Sequence, residues 1–299
     1  MTGFTAIDLS KLPPPAVIQG ADYEALLAEM KAEAVRRLPE LETALSLESE
    51  PAAQLLRVCA YYRMLDRLEF NDGARACMLA LSTGTDLDGL GAFWGVERLI
   101  LQAADDGAVP PVPAILESDE AFRKRIQLSL EGHTTAGPRG AYIFWALSAS
   151  SRIEDVAVTS PRPGEVLVTV LARDGEPAGA ALLGVVRQAL GHEDVRPLTD
   201  RVTVEAASIV PYEVTAALTL YHGPDAEVVR AAALAAVQAY TAAQHRIGHD
   251  ITRSGLFAAL HREGVQNVAL TGPAADIAVD ARSAARCSAI EVSVAGRDV

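Results

Sequence analysis

The chain has 299 residues, enough to bury a sizeable core and to divide into two or three domains. Its net charge of −13, with no basic cluster, leaves no footprint for a phosphate backbone or an anionic membrane surface, so direct binding to nucleic acid or membrane is not expected. Its strongly apolar runs reach only about ten residues, against about 20 for a membrane span, so no insertion into a bilayer is expected either.

Residues 1–117 carry 18 acids against 9 bases, and the remainder 21 against 17, so the acidity is concentrated at the N-terminal end. The start, MTGFTAIDLSKLPPP, has neither the basic opening nor the apolar core of a secretory signal. Cys59, Cys77 and Cys287 lie far apart with no CxxC spacing. They read as reduced, mostly buried small hydrophobes, which fits folding in a reducing cytoplasm. A mean hydropathy of +0.17 is high for so charged a chain. It fits either helices covered by neighbouring subunits or simple alanine richness.

In chain order, residues 1–105 read as a helical region. After an extended proline segment, Tyr23–Leu38 places Leu26, Leu27, Met30, Ala34 and Leu38 at helical spacing before Pro39 interrupts. Ser49-Glu50-Pro51 opens a longer helix over roughly 50–70. Leu55, Val58, Cys59, Tyr62 and Leu65 form one broad stripe on it, and Leu56, Tyr61 and Met64 a second apolar flank. A stripe this wide can face two neighbours at once. Thr85-Asp86-Leu87-Asp88 has a capping-box pattern, and Gly95 suits a helix stop.

Residues 106–117 read as a linker, because the prolines and glycine of ADDGAVPPVP cannot continue a helix or a central strand. The middle region, 118–208, begins with Ser118 as an N-cap before Asp119 and Glu120. Phe122, Ile126 and Leu130 then mark one buried face, with Arg123, Lys124 and Arg125 turned mostly to water. Gly137-Pro138 opens a second helix that is apolar nearly all round. Asp155–Thr159 and Glu165–Leu171 read as strands, Ala178–Leu190 as an amphipathic helix and Arg201–Ala206 as a strand, giving ββαβ. In the last region, 209–299, Tyr212–Tyr221 reads as a strand and Ala226–Gln244 as a long helix entered from Pro224-Asp225. Ser254 caps a shorter helix, and Val265–Leu270 and Ile290–Val294 are strands, giving βααββ. The fold class is therefore α+β: a helical N-terminal region followed by two small α/β layer domains.

Few residues suggest chemistry. His245 and His249 stand four apart in QHRIGHD, a spacing that on a helix can hold a metal with Asp250 as an oxygen ligand; Gly248 between them argues for a helix end instead. Asp86 and Asp88 could pair for acid–base work, but capping already accounts for them. The loop GHTTAGPRG, 132–140, could cradle an anion, yet it lacks the Lys-Ser/Thr of a P-loop and reads as helix punctuation; Arg139 within it is a candidate for an interface ion pair. No other catalytic motif is present, so no catalytic residue, cofactor or metal ligand is assigned.

The stretches SDEAFRKRIQL, EGHTTAGPRGAY, ALSAS and TSPRPGEVLVTVL resemble the baseplate J-like proteins of contractile phage tails. The likeness continues through LESEPAAQLLRVCAYYRML and TGTDLDGLGAFWGVERL upstream, and through EDVRPLTDRVTVEAASIVPYEV and GVQNVALTGPAADIAV downstream, in one colinear order. The resemblance implies a structural part of a baseplate wedge, without catalysis, assembled in the host cytoplasm and present in several six-fold-related copies around the tail hub. It implies contacts with a second copy or its equivalent, a small lysozyme-like wedge protein and the protein linking the wedge to the tail fibres. Helices of the N-terminal region would form an inter-subunit bundle, for which Leu55, Leu56, Tyr61, Tyr62, Leu65 and Phe70 are the candidates; packing within the monomer is the competing expectation. Two other readings remain at this point: a soluble metal-dependent hydrolase using His245 and His249, and an unrelated intracellular scaffold.

Overall fold

The computed structural model describes residues 7, 9–13, 15–134, 136–173, 175–193, 195–223 and 225–298, without the side chain of Ser10. Parts of three sequence features (Pro14 of the proline segment, Thr135 of the glycine-rich loop and Pro224 before the long helix) lie outside the described residues. The chain divides into two compact units, one of residues 7–98 with 118–124 and one of 99–117 with 125–298.

The first unit is helical. Tyr23–Arg37 (α1) starts where expected because the Asp22 carboxylate accepts from Ala25 N–H at 3.1 Å; Arg36 and Arg37 sit at its negative end. Pro39 ends it, and a short turn leads into Glu42–Leu45 (α2). Pro51–Ala76 (α3) then runs six residues past the expected end near 70. Asn71-Asp72-Gly73 looks like a turn, but Asn71 is buried and its amide serves backbone elsewhere. Gln19 N–H donates to Asn71 Oδ1 at 2.9 Å, and Asn71 Nδ2 donates to Gln19 O at 2.8 Å. With its side chain engaged that way, Asn71 has no reason to break the helix.

α1 and α3 pack through Leu26, Leu27 and Ala60, flanked by Tyr23, Met30, Leu56 and Met64. Gly84–Phe93 (α4) begins one residue before the expected capping box, with Thr83 at the cap position and no local side-chain cap. Its first amide is capped from far along the chain instead: Gly84 N–H donates to the Asp119 carboxylate at 3.2 and 3.4 Å. Gly95, at φ 68°, follows the helix in the left-handed conformation that suits a stop.

In the second unit the expected linker folds back on itself. Ile100–Gln102 (β1) pairs antiparallel with Ile115–Leu116 (β2), and Asp105 and Val112 exchange backbone hydrogen bonds of 2.9 and 3.0 Å. Asp119–Gly132 (α5) is capped by Ser118 Oγ as expected; its first residues belong to the helical unit and the rest to this one. Phe122 and Ile126 are buried, whereas Leu130 is exposed, and Leu128 and Ser129 take the inward positions.

Arg139–Ala149 (α6) is buried on most sides, with Pro138 at its cap position. Ile153–Thr159 (β3) and Glu165–Ala172 (β4) are antiparallel, Ala180–Leu190 (α7) crosses over, and Arg201–Ala206 (β5) lies parallel to β4. Val156, Val158, Val168, Val170 and Val204 alternate into the core against α6 and α7.

A single residue, the buried Ala207, separates β5 from Ser208–Tyr221 (β6). β6 starts four residues before the expected Tyr212. Residues 208–214 pair with only one neighbour, so Pro211, which has no N–H to donate, is tolerated there. Ala226–Gln244 (α8) and Arg253–Leu260 (α9) cover one face of a sheet ordered β7-β6-β8, formed with Val265–Gly272 (β7) and Ser283–Asp298 (β8). The cap of α9 is Thr252, whose hydroxyl accepts from Gly255 N–H; Ser254 instead bonds Thr252. The architecture is mixed helix and sheet, with ββαβ and βααββ layers following the N-terminal helices.

Candidate functional site

α3 has two unlike faces. Ala53, Ala60 and Asn71 face inward with Leu56 and Met64, and small residues there let α1 approach closely. On the opposite side Leu55 and Tyr62 are 67% and 61% exposed, with Val58 and Cys59 also exposed and Leu65 half-buried. Leu55, Val58, Tyr62 and Leu65 follow a three-four-three spacing, the seam that packs against another helix in a coiled coil. Tyr61 and Phe70 flank this seam and are exposed, and the Tyr61 and Tyr62 rings meet edge to face with centroids 5.7 Å apart.

Of the six bundle candidates, Leu55, Tyr61, Tyr62 and Phe70 are thus uncovered within the chain, Leu65 is partly covered, and Leu56 packs against the α1–α3 core. Cys59 and Cys77 are exposed and Cys287 half-buried, so the expectation of mostly buried cysteines is corrected; Cys59 lies on the outer face of α3, and Cys77 caps its C-terminal end.

The basic residues of α5 were expected in water, and that too is corrected. Arg125 and Glu117 are buried to 5% and 4% side-chain exposure and pair at 2.7 Å, while Glu117 also accepts from Leu99 N–H. Arg123 donates to Leu79 O at 2.6 Å and Ser82 O at 2.7 Å, satisfying carbonyls of the turn after α3. Arg98 pairs with Asp88 at 2.7 Å and Asp119 at 2.8 Å and lies over the Phe122 ring. Asp88 is therefore an ion-pair partner rather than half of a carboxylate pair with Asp86. Sequence reading missed Asn71, Glu117 and Arg98 because each is satisfied by a group distant in the chain, and local spacing carries no trace of that.

The histidine pair is not a helical i, i+4 site. α8 ends at Gln244, and Gly248 at φ 74° turns the chain away. His245 Nδ1 lies 2.7 Å from Ala285 O, His249 Nδ1 lies 3.2 Å from Gln244 Oε1, and Asp250 accepts from Val279 N–H at 2.7 Å. Each is committed to a different partner, and among the described residues no group of three or more His, Cys, Asp or Glu is placed to hold a metal. Among those residues, too, no helix is long and apolar enough to cross a membrane.

Arg139 opens α6 and is exposed. Three residues on, Tyr142 donates to Asp200 at 2.7 Å; burial and that carboxylate push the phenol up, partly offset by Arg196. Gly137 lies against Pro197 and Asp200, which brings the loop before α6 beside the loop before β5.

Comparison with known proteins matches three family models in order: the Baseplate J-like N-terminal domain over residues 48–105, the Baseplate J-like central domain over 134–206 and the Baseplate J-like protein C-terminal domain over 212–293. The chain is 46% identical over 298 residues to Baseplate protein J of Escherichia phage P2, covering 98% of this chain and 99% of that protein. A looser likeness, at 15% identity and a TM-score of 0.40, is to a chain in the six-fold-symmetrised cryo-EM structure of the anti-feeding prophage baseplate; it covers 60% of this chain and 44% of that one.

Proposed function

This chain belongs to the baseplate J-like family and is a structural component of a phage tail baseplate, and from that premise we propose that it works as a wedge protein held by its neighbours. Several copies, six-fold related, ring the hub in company with a second copy or its equivalent, a lysozyme-like wedge protein and the protein that links the wedge to the tail fibres. They assemble in the host cytoplasm before the tail is complete. Receptor engagement changes the geometry of the ring, and that change releases the sheath. A switch of this kind needs packed interfaces with two alternative arrangements, so that a trigger shifts an equilibrium already present. The chain turns over no substrate in this reading, and with a net charge of −13 it does not grip the DNA that passes it.

The observation that carries the proposal is the outer face of α3, where Leu55, Val58 and Tyr62 stand exposed at coiled-coil spacing while Ala60, Leu56 and Met64 on the opposite face make the intramolecular packing. Leu55, Tyr61, Tyr62, Leu65 and Phe70 are the contact residues, with Leu56 behind them bracing α3 on α1. Co-expression with the products of adjacent tail genes tests it: the wild-type chain is expected to copurify in a stable complex. Leu55→Glu/Tyr62→Glu should keep the wild-type circular dichroism spectrum and leave that complex. A chain that stays alone with every tail protein would end the proposal.

A further inference from the structure

One end of the β3–β4–β5 sheet gathers four arginines in a chain that is otherwise acidic. The 160–164 turn joins β3 to β4, and Arg201 N–H, at the start of β5, donates to Gly164 O in that turn at 2.7 Å. Glu165 stands opposite Arg201 in the strand register. The loop 196–200 runs into the same end and meets Gly137, two residues before Arg139. Arg139, Arg162, Arg196 and Arg201 are all exposed there, and Leu198 between the last two is fully exposed. Acids lie among them as well, including Glu131, whose side chain rests against Gly140 next to Arg139. Asp200 is held by Tyr142 and Thr199, and Glu165 lies 3.9 Å from Arg162. Among the described residues, Arg139, Arg196 and Arg201 have no ion-pair partner.

The counterpart is the stretch 38–50, LPELETALSLESE, with four acids and no base. Glu40, Glu42 and Glu48 are exposed on and after the short helical turns of 39–45, and Leu38 and Leu47 stand exposed beside them. Glu48 already pairs with Arg57 at 3.0 Å, whereas Glu40 and Glu42 have no partner among the described residues.

We propose that the arginine end of one copy docks the acidic 38–50 segment of a second copy, with Leu198 as the apolar centre of a charged rim. The contact is head to tail: each copy offers both halves, so contacts propagate from copy to copy as a ring requires. Single exposed ion pairs hold little energy, so the arginines serve chiefly to select and orient the partner, and the contact weakens steeply with salt. This inference rests on the assembly role proposed above.

The test uses two full-length variants, Arg139→Glu/Arg196→Glu/Arg201→Glu and Glu40→Lys/Glu42→Lys. All five positions are exposed, and matching circular dichroism and melting curves confirm the fold. In sedimentation velocity at low salt the wild-type chain should self-associate with concentration, and high salt should weaken this roughly tenfold or more, as screening dictates. Each variant alone should stay monomeric. An equimolar mixture should associate again, because the reversed head of one variant now fits the reversed tail of the other.

Wild-type chain that never self-associates, a variant that associates as the wild type does, or a mixture that stays monomeric overturns the contact; the last is also what an intrachain pairing would give. Binding of a duplex DNA probe that the arginine variant loses would likewise overturn it, in favour of nucleic acid. If both variants still enter the co-expressed tail complex normally, this contact fails while the assembly role stands; if even the wild type enters no complex, the assembly role itself fails.

Discussion

α3 and α8 are both long amphipathic helices, but they spend their apolar residues differently. α8 turns Val229, Ala233 and Val237 into the sheet and, Val228 apart, exposes only alanine among its apolar residues, so most of its larger side chains are used within the chain. α3 differs: Ala53 and Ala60 face inward with Leu56 and Met64, while at least as many large apolar side chains, Leu55, Val58, Tyr61 and Tyr62 among them, are left outside. Periodicity reveals that a helix has an apolar face. It does not reveal whose surface that face is kept for, and the helical unit is where a partner has the most to cover.

The contrast can be broken most forcefully at the buried charge pair. Glu117→Ala would strand Arg125, at 5% exposure, without its carboxylate, and the loss should be about 3–5 kcal/mol in a urea melt. A loss below about 1 kcal/mol would mean that solvent or another group reaches Arg125. Next comes a matched pair of truncations. Leu218→Ala, in the fully buried row of β6, should lose about 2–5 kcal/mol. Leu55→Ala on the outer face of α3 should stay within about 0.5 kcal/mol for the isolated chain, and show its effect only in copurification with tail proteins. Equal losses would show that α3 is covered within the monomer after all.

Legibility in the sequence follows the same division. The ββαβ and βααββ orders, the start of α1, the whole span of α8 and the span of β5 are readable because local signals agree with the tertiary environment: Asp22 at a cap, valines alternating, Asp225 accepting from Glu227 and Val228 N–H. β8 is far longer than the expected Ile290–Val294, since RSAARCSA has little strand preference of its own and is held extended by parallel pairing with β6. At the candidate site, the stripe on α3 was visible, but which flank faced α1 was not. That choice depends on how closely two helices approach, and Ala60 decides it against Tyr62. The arginines of α5 were misread because a run of charge usually means water, and their partners lie on other segments.

Within the helical unit, the distant cap on α4 gives a smaller and pH-dependent effect. Burial, the largest influence on the Asp119 carboxyl, pushes it up, but the Gly84 N–H and Arg98 together outweigh this and hold it below the usual carboxylate range. A lowered folded-state value means that the stabilisation is present above the unfolded value near 4. It is lost as pH falls through the depressed folded value. Asp119→Asn should lose about 1 kcal/mol at neutral pH, in the range of a helix cap, and acidification should cost the variant less than it costs the wild type. Parallel acid titrations monitored by circular dichroism would check this; identical acid sensitivity would remove Asp119 from the account.

The smallest effect is expected where the two sheets of the α/β unit meet. Leu171, Ala207, Ile247 and Ala284 form a buried cluster there, and Ile247 N–H donates to Asp155 at 3.2 Å. Around it Arg282 pairs with Glu205, and Arg286 with Glu176 at 2.5 Å, all on solvent-exposed side chains except Glu205. The buried cluster, and a strand interrupted only at Ala207, should carry the coupling between the sheets, with the arginines adding orientation. Glu205→Ala should therefore cost roughly 0.2–1 kcal/mol and leave a single unfolding transition for both sheets. Ile247→Ala, which removes apolar volume from the cluster, should cost several times more. Differential scanning calorimetry distinguishes the cases. If Glu205→Ala alone splits the α/β transition in two, the charged bridge rather than the apolar cluster makes the two sheets one unit.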